Sequence, residues 1–467
     1  MTKQFSRRNF IKTGVAGALS AAALSDVSSA STLAAETKTS VANTQGTKPA
    51  ILGGEQAHQT GWPAWPAWEP KWDSEIMEVL DRRVWSRSKL VTEFEEQWAE
   101  KIGTQFCLAV VNGTNALSAS FMELNIGPGD EVIAAPYTFS ASIFGILYQK
   151  AMPVFADIDP TTYQIDPEQI KAKITPRTKA ILPVHICGLP SDMENIMKIA
   201  KEHHLYVIED CCQAHLSTIH GKPVGSFGDA GCFSFQTSKV LPIGEGGAIT
   251  TNDQAFKERL YSYHNYGYAT TVAPGTYAGS IHSFRLANKI RMAEYQAAIG
   301  LCQLRTLEQQ IAVRNENGSY LRKRIAEIPG LRPVRYYDGV DRVSYYMCPF
   351  IYNPDEFKGL SRDKFVMALR AEGVNASNGY PNDPLYSQGI FKETLASEIY
   401  QKIYSKDQLN FDEFKERNSC PNLIKTFETS VWLDSAGMFL GSKSDMDDIV
   451  NAVIKIRDNA EAIKKAG

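Results

Sequence analysis

The residues whose types and spacing suggest chemistry concentrate between Val207 and Gly247. The run Glu209-Asp210-Cys211-Cys212-Gln213-Ala214-His215 closes an apolar stretch. Ser234-Phe235-Gln236-Thr237-Ser238-Lys239 follows, then Gly244-Glu245-Gly246-Gly247. Asp210 ends an apolar strand-like segment, where a carboxylate is costly unless it meets a cation or several donors. A protonated pyridine nitrogen is one such partner. Lys239 stands just past a strand and before a glycine-rich turn, where partial withdrawal from water would make its amine a nucleophile. A lysine that forms a Schiff base and a carboxylate that keeps a ring nitrogen protonated are together what pyridoxal 5'-phosphate requires. Taken singly, each residue has a plainer reading. An Asp at a strand end commonly caps a helix, and a lone Lys is commonly a solvated surface charge.

A second segment, Asn112-Gly113-Thr114-Asn115-Ala116-Leu117, lies where a strand runs into a helix. Free backbone N–H groups and the helix dipole bind phosphate at such a place, and glycine lets the backbone come close. The same residues also make an ordinary turn and cap. His185, in Pro183-Val184-His185, belongs to a strand and reads as a structural histidine. Asp445, Asp447 and Asp448 read as the acidic first turn of the last helix. No His, Cys or carboxylate cluster has metal-ligand spacing, so no metal is expected.

These residues need elements to position them. From about 101 to 255 the chain alternates strand-like segments with helical ones. The strands are Cys107–Val111, Glu131–Ala135, Pro153–Ile158, Ala180–Ile186, Leu205–Glu209, Gly231–Phe235 and Ala248–Thr251. The helices include Ala116–Leu124, Asp166–Ile174 and Met193–His203. Such alternation predicts an α/β domain with a mostly parallel sheet, and continuous apolar strands predict that both faces are covered. Met292–Ala326 reads as one long helix. Beyond about 331, a strand at Tyr345–Tyr352, a helix capped by Ser361 and a terminal helix over Asp445–Ala460 predict a smaller α+β domain. The expected organisation is therefore 1–30 leader, 31–49 linker, 50–100 arm rich in Trp and Pro, 101–330 large domain and 331–467 small domain.

With those residues in view, the chain resembles the DegT/StrS-type family of sugar aminotransferases. The likeness runs over roughly residues 50–460. It rests on Glu-Asp-x-x-Gln-x-His at 209–215, Ser-Phe-x-x-x-Lys at 234–239 and the following Gly-Glu-Gly-Gly. The resemblance implies a fold-type I transferase that binds pyridoxal 5'-phosphate. In it Lys239 is the Schiff-base lysine, Asp210 the partner of the ring nitrogen and Gln213 the contact of the ring oxygen. Gly113, Thr114 and Ser234 hold the phosphate, and Phe139, in Pro136-Tyr137-Thr138-Phe139, stacks on the ring. It further implies a homodimer in which the segment Asn288–Ala298 enters the neighbouring subunit's site, with Lys289 at the phosphate-facing position. Two departures from the family pattern are Ile290, where relatives carry an aromatic, and Tyr268, where many carry Arg. The opening Leu52-Gly53-Gly54 and Trp62-Pro-Ala-Trp-Pro resemble a branch holding cyclitol-ketone aminotransferases and aminohydroxybenzoate synthases.

The implied activity is transfer of an amino group from glutamate or glutamine to a keto sugar or cyclitol ketone. Two other readings stand beside it. One is a dehydratase on the same scaffold, and the other an exported cofactor-binding protein without activity.

The N-terminus reads as an address. Ser6-Arg7-Arg8-Asn9-Phe10-Ile11-Lys12, a small-residue apolar stretch from Thr13 to Leu24 and Ser28-Ser29-Ala30 make a twin-arginine signal. A periplasmic or otherwise extracytoplasmic location and engagement of the twin-arginine machinery follow as expectations. The remaining composition is that of a globular protein: 467 residues, 43% hydrophobic, 22% charged, with formal net charge −3. No basic block points to nucleic acid, and no apolar run is long enough to span a bilayer. The eight cysteines include no C-x-x-C pair and sit mostly in apolar runs, which favours buried free thiols.

Overall fold

The computed structural model describes residues 47–271, 282–434 and 436–466. The leader (1–30) and most of the linker (31–49) lie outside the described residues. The strands of the main sheet are β1 (Phe106–Val110), β2 (Glu131–Ala134), β3 (Met152–Phe155), β4 (Thr178–Leu182), β5 (Tyr206–Asp210), β6 (Ala230–Ser234) and β7 (Gly247–Thr251). Their spatial order is β1-β7-β6-β5-β4-β2-β3. The pairs β2–β3, β2–β4, β4–β5 and β5–β6 are parallel, whereas β7 runs antiparallel to both β1 and β6. The expected α/β architecture is present, and the mostly parallel sheet has this single reversed strand.

Period-two alternation sorts each strand's side chains between two cores. Leu108, Val110, Cys232 and Ile249 face one side, where Ala116, Leu117 and Phe121 of α3 (Gly113–Glu123) pack with Phe256 and Leu260 of α7 (Gln254–His264). Ala109, Phe233 and Ala248 face the other. There they meet Phe94 and Trp98 of α2 (Lys89–Ile102) and Leu301, Leu304 and Leu307 of α8 (Glu294–Ala326). Further along the sheet, Ile133, Ile181 and Val207 pack on α5 (Pro167–Lys173) and α6 (Met193–His203) through Ile170, Ile196 and Ile199. Strands covered on both faces explain their unbroken apolar sequence.

The chain after 330 builds a four-stranded antiparallel sheet from β8 (Leu331–Pro333), β9 (Met347–Tyr352), β10 (Ala376–Ser377) and β11 (Ser430–Asp434), in the order β8-β9-β11-β10. Ser361 caps α9 (Arg362–Ala371) by accepting from Lys364 N at 3.3 Å. Ser442 caps α10 (Lys443–Asp458) in a capping box with Asp445. Five short helices between Gly389 and Thr429 had no distinct sequence signal. Residues 50–100 are not all arm. The extended stretch ends near residue 72, and the chain then forms α1 (Asp73–Arg82) and α2. The carboxylate of Glu294 accepts from the N–H groups of Ser88 and Leu90 at 2.7 and 2.9 Å. It thereby satisfies the otherwise orphaned N-terminus of α2. Among the described residues no helix is long and apolar enough to cross a membrane.

Candidate active site

In a parallel sheet, ligands gather beyond the carboxyl ends of the strands, and here four chain segments converge there. Asn112–Thr114 follow β1, Pro136–Phe139 follow β2, Asp210–Gln213 finish β5 and Ser234 ends β6. Because β7 returns antiparallel to β6, with Ser234 facing Gly247, the connection between them stays at the same edge. That connection carries Lys239. Lys239 thus lies at the edge of the sheet where Asp210 ends β5, and both line one cavity.

The segments enclose a cavity of about 470 Å³ lined by Gly113, Thr114, Phe139, Asp210, Gln213, Ser234 and Lys239 among others. Seven of the eight residues that the sequence singles out are thus together. Lys289 is not among the lining residues. It is exposed, its backbone N–H bonds its neighbour Asn288 at 2.8 Å, and its ammonium lies 5.8 Å from the Tyr266 ring.

Asn112 caps α3, its Oδ1 accepting from Asn115 N at 2.9 Å. The first-turn N–H groups of Gly113 and Thr114 have no partner within the helix. A Cβ at position 113 would sit 2.7 Å from Cys212 Sγ and 2.9 Å from Ser234 Cβ. Only glycine permits the helix start to lie directly on Ser234, which joins two N–H groups, a hydroxyl and the positive helix end in one anion cradle. Phe139, immediately before α4 (Ser140–Tyr148), is 61% exposed. A large ring held open to solvent beside the cradle has the form of a stacking surface.

Asp210 is buried. Its Oδ2 accepts from Ser142 Oγ at 2.7 Å and its Oδ1 from Cys212 N at 3.1 Å. Ser142 is in turn 2.7 Å from Thr138 Oγ1. Gln213 is fixed at both ends of its amide: Oε1 accepts from Cys187 N, and Nε2 donates to the Tyr380 hydroxyl, each at 2.8 Å. Burial raises the Tyr380 phenol well above its ordinary value, so it keeps its proton. Lys239 Nζ lies 4.4 Å from the Tyr346 ring centroid, and the Tyr346 hydroxyl is 3.1 Å from Ser238 Oγ. Sequence reasoning did not find Ser142, Tyr346 or Tyr380. Ser142 lies three residues past Phe139 in the first turn of α4, so its position could have been inferred. The two tyrosines arrive from the C-terminal sheet with no local signal.

Two buried histidines are held by hydrogen bonds within the fold. His215 donates Nε2–H to Ser234 O at 2.8 Å within a cage of Trp98, Phe233 and Phe235, and burial pushes it down to about 3. His185 lies between Glu209 and Ser191, at 3.2 and 3.0 Å. Two groups have a geometry that spacing did not reveal: His185–Glu209–Cys211, and His58–Asp445–Asp448. In the first, Glu209 accepts three backbone N–H groups and His185 Nδ1 accepts a fourth. In the second, His58 bonds Asp448 at 3.1 Å while Asp445 closes the α10 cap. Hydrogen bonding accounts for both. All eight cysteines are free thiols, and burial pushes those of Cys187, Cys211 and Cys212 well above the ordinary thiol range.

A lysine, a carboxylate and a helix-start anion cradle around one cavity at the carboxyl ends of an α/β sheet define a cofactor-dependent transferase site. The chain belongs to the DegT/DnrJ/EryC1/StrS aminotransferase family, whose family model matches residues 68–406. It is 34% identical over 378 residues to a putative L-glutamine:3-amino-2,3-dideoxy-scyllo-inosose aminotransferase of Streptoalloteichus tenebrarius, covering 79% of this chain and 87% of that one. With GDP-perosamine synthase of Caulobacter vibrioides it shares 37% identity over 305 residues, 64% of this chain and 79% of the relative. Among solved structures, 3-amino-5-hydroxybenzoic acid synthase superposes with a TM-score of 0.73 at 29% identity, over 87% of this chain and all of that one.

Proposed function

We propose that the protein is a pyridoxal 5'-phosphate-dependent aminotransferase that moves an amino group from glutamine or glutamate to a keto sugar or cyclitol ketone. The observation that carries this reading is the sharing of one cavity by Lys239, Asp210 and the Gly113–Thr114 cradle. The relatives that act on scyllo-inosose derivatives and on a GDP sugar support the acceptor class, and those named for L-glutamine support the donor.

The residues present fit the cofactor. The glycine-dependent approach of α3 to Ser234 supplies donors for a phosphate, and Asp210 supplies a buried carboxylate for a protonated ring nitrogen. When bound, the cofactor supplies an electron-withdrawing ring that stabilises negative charge at the substrate carbon. Asp210 would keep that ring protonated, and Ser142 and the Cys212 N–H hold the carboxylate in place. Lys239 Nζ is the anchoring amine. As a free amine beside the Tyr346 ring it would accept and return the proton at the reacting carbon. Gln213, fixed by Cys187 and Tyr380, would contact the ring's oxygen, and Phe139 would offer its face to the ring.

The decisive experiment incubates purified protein with glutamine or glutamate and a panel of keto sugars and cyclitol ketones, read by mass spectrometry. Amination of one ketone with consumption of the donor is the expected result. Loss of water from the substrate without amination would replace this reading with the dehydratase one, and no change in any substrate with bound cofactor would favour a binding protein.

The reading extends to a two-fold homodimer in which Lys289 reaches the phosphate of the partner's site. Its exposure and its place outside its own chain's cavity support this. Mixing inactive Lys239→Ala with inactive Lys289→Ala should restore activity after subunit exchange, and no recovery would refute the arrangement. Export by the twin-arginine route is supported by the Ser6–Lys12 motif. Arg7→Lys with Arg8→Lys should leave a precursor in the cytoplasm, and normal export of that variant would refute it.

A further inference from the structure

The loop between β6 and β7 that carries Lys239 is secured from outside by the N-terminal arm. Within the loop, Thr237 N donates to Gly244 O at 3.0 Å and Lys239 N to Gln236 O at 2.8 Å. The Thr237 carbonyl instead points outward and accepts from Trp65 Nε1 at 3.1 Å. Trp65 is not a loose surface residue. The Arg314 guanidinium lies over its ring at 4.7 Å, and Arg314 is fully buried in α8. Next to Trp65, the Pro63 carbonyl lies so close to Gly437 that a Cβ there would be 1.9 Å from it.

The rest of the arm is tied to other elements. Trp62 Nε1 donates to Gly373 O at 2.8 Å, Ala50 N and Ala57 N donate to the Glu372 carboxylate at 2.8 and 2.9 Å, and Gln303 Nε2 donates to Ala67 O at 2.7 Å. The arm thus runs from the region after α9 to α8 and touches the lysine loop through one indole N–H.

We propose that Trp65 is a positioning residue for Lys239, acting as a strap that holds the 236–246 loop so that the lysine side chain stays at the cavity. The part of this that concerns catalysis rests on the cofactor reading above. The strap itself rests on contacts alone.

The test compares Trp65→Phe with Trp62→Phe in the purified full chain. Each removes one arm N–H and keeps an aromatic ring, but only the first lies on the lysine loop. For Trp65→Phe, amide exchange in the stretch 235–246 should quicken about fivefold, the effect of losing one ordinary hydrogen bond. Turnover should fall with little change in KM for the ketone. Trp62→Phe should lower the melting temperature comparably and leave both exchange and turnover unchanged. Equal exchange in both variants would overturn the strap. Faster exchange with unchanged turnover would overturn the positioning role. A wild-type protein with no borohydride-sensitive band would strike at the cofactor reading instead, and the exchange measured on the same sample would still decide the strap.

Discussion

Glu209 and Asp210 are consecutive carboxylates at the end of β5, and their side chains leave the strand on opposite faces. Glu209 is saturated. Its two oxygens accept from Gly225, Phe227 and Gly228 N, each at 2.8 Å, and from His185. Asp210 accepts from one hydroxyl and one N–H and borders the cavity. A carboxylate has about four acceptor positions, so Glu209 has none to offer a ligand while Asp210, with two bonds accepted, keeps about two. One residue holds a turn together and its neighbour borders the cavity. The same contrast separates His215, buried and hydrogen-bonded to the Ser234 carbonyl, from Lys239, whose ammonium has an aromatic face beside it and open cavity before it.

The largest expected break is on the cavity side. Lys239→Ala should lower turnover by about 10³-fold or more and abolish the borohydride-sensitive visible band. Retention of that band would remove Lys239 from its assigned role. The holding side should respond in stability instead. Glu209→Ala leaves several buried N–H groups and His185 without their acceptor and should cost about 3–5 kcal/mol, read from urea unfolding midpoints. If that variant does not fold, Glu209→Gln, with one acceptor oxygen retained, gives a smaller loss by the same measurement. Turnover per folded molecule should stay near wild type. A large kinetic loss in folded Glu209→Gln would erase the contrast. Asp210→Ala should do the reverse: about 10²-fold in turnover with bound cofactor retained and a small stability change.

The smallest effect concerns the caged histidines. Burial pushes both His215 and His264 down to about 3. Below about pH 6.5 the unfolded chain takes up a proton at each that the folded chain refuses, so stability falls as pH falls. The loss is about 1.4 kcal/mol per pH unit for each group, between its unfolded value near 6.5 and about 3. His215→Gln keeps a donor for the Ser234 carbonyl and should remove one of the two contributions. Unfolding midpoints at pH 7, 6 and 5 should show a shallower acid slope than wild type, and an unchanged slope would show that His215 is not held neutral.

Much of this site was legible in the chain because its parts are local. Gly113 and Thr114 closely follow a strand, Asp210 and Ser234 each end one, and Lys239 lies within the connection that Ser234 opens. Each could be placed by strand periodicity and the turn that follows. Tyr380 and Tyr346 were not legible. Gln213 and Tyr380 are 167 residues apart, and Ser238 and Tyr346 are 108 apart, so only the docking of the C-terminal sheet makes them neighbours. Lys289 shows the opposite case. The sequence resemblance assigned it to a site, and within its own chain it stands on the surface.

By itself the sequence determined the α/β alternation, the two-sided burial of the strands and the set of residues at their carboxyl ends. Period two and the strand-to-helix turns are properties of contiguous residues. Tertiary structure alone decided that β7 runs antiparallel to both of its neighbours. It alone decided that Glu209 is spent on backbone groups 16 to 19 residues away while Asp210 is not. Those outcomes depend on which distant donors the closed fold brings within about 3 Å, a distance that no pattern of neighbouring side chains encodes.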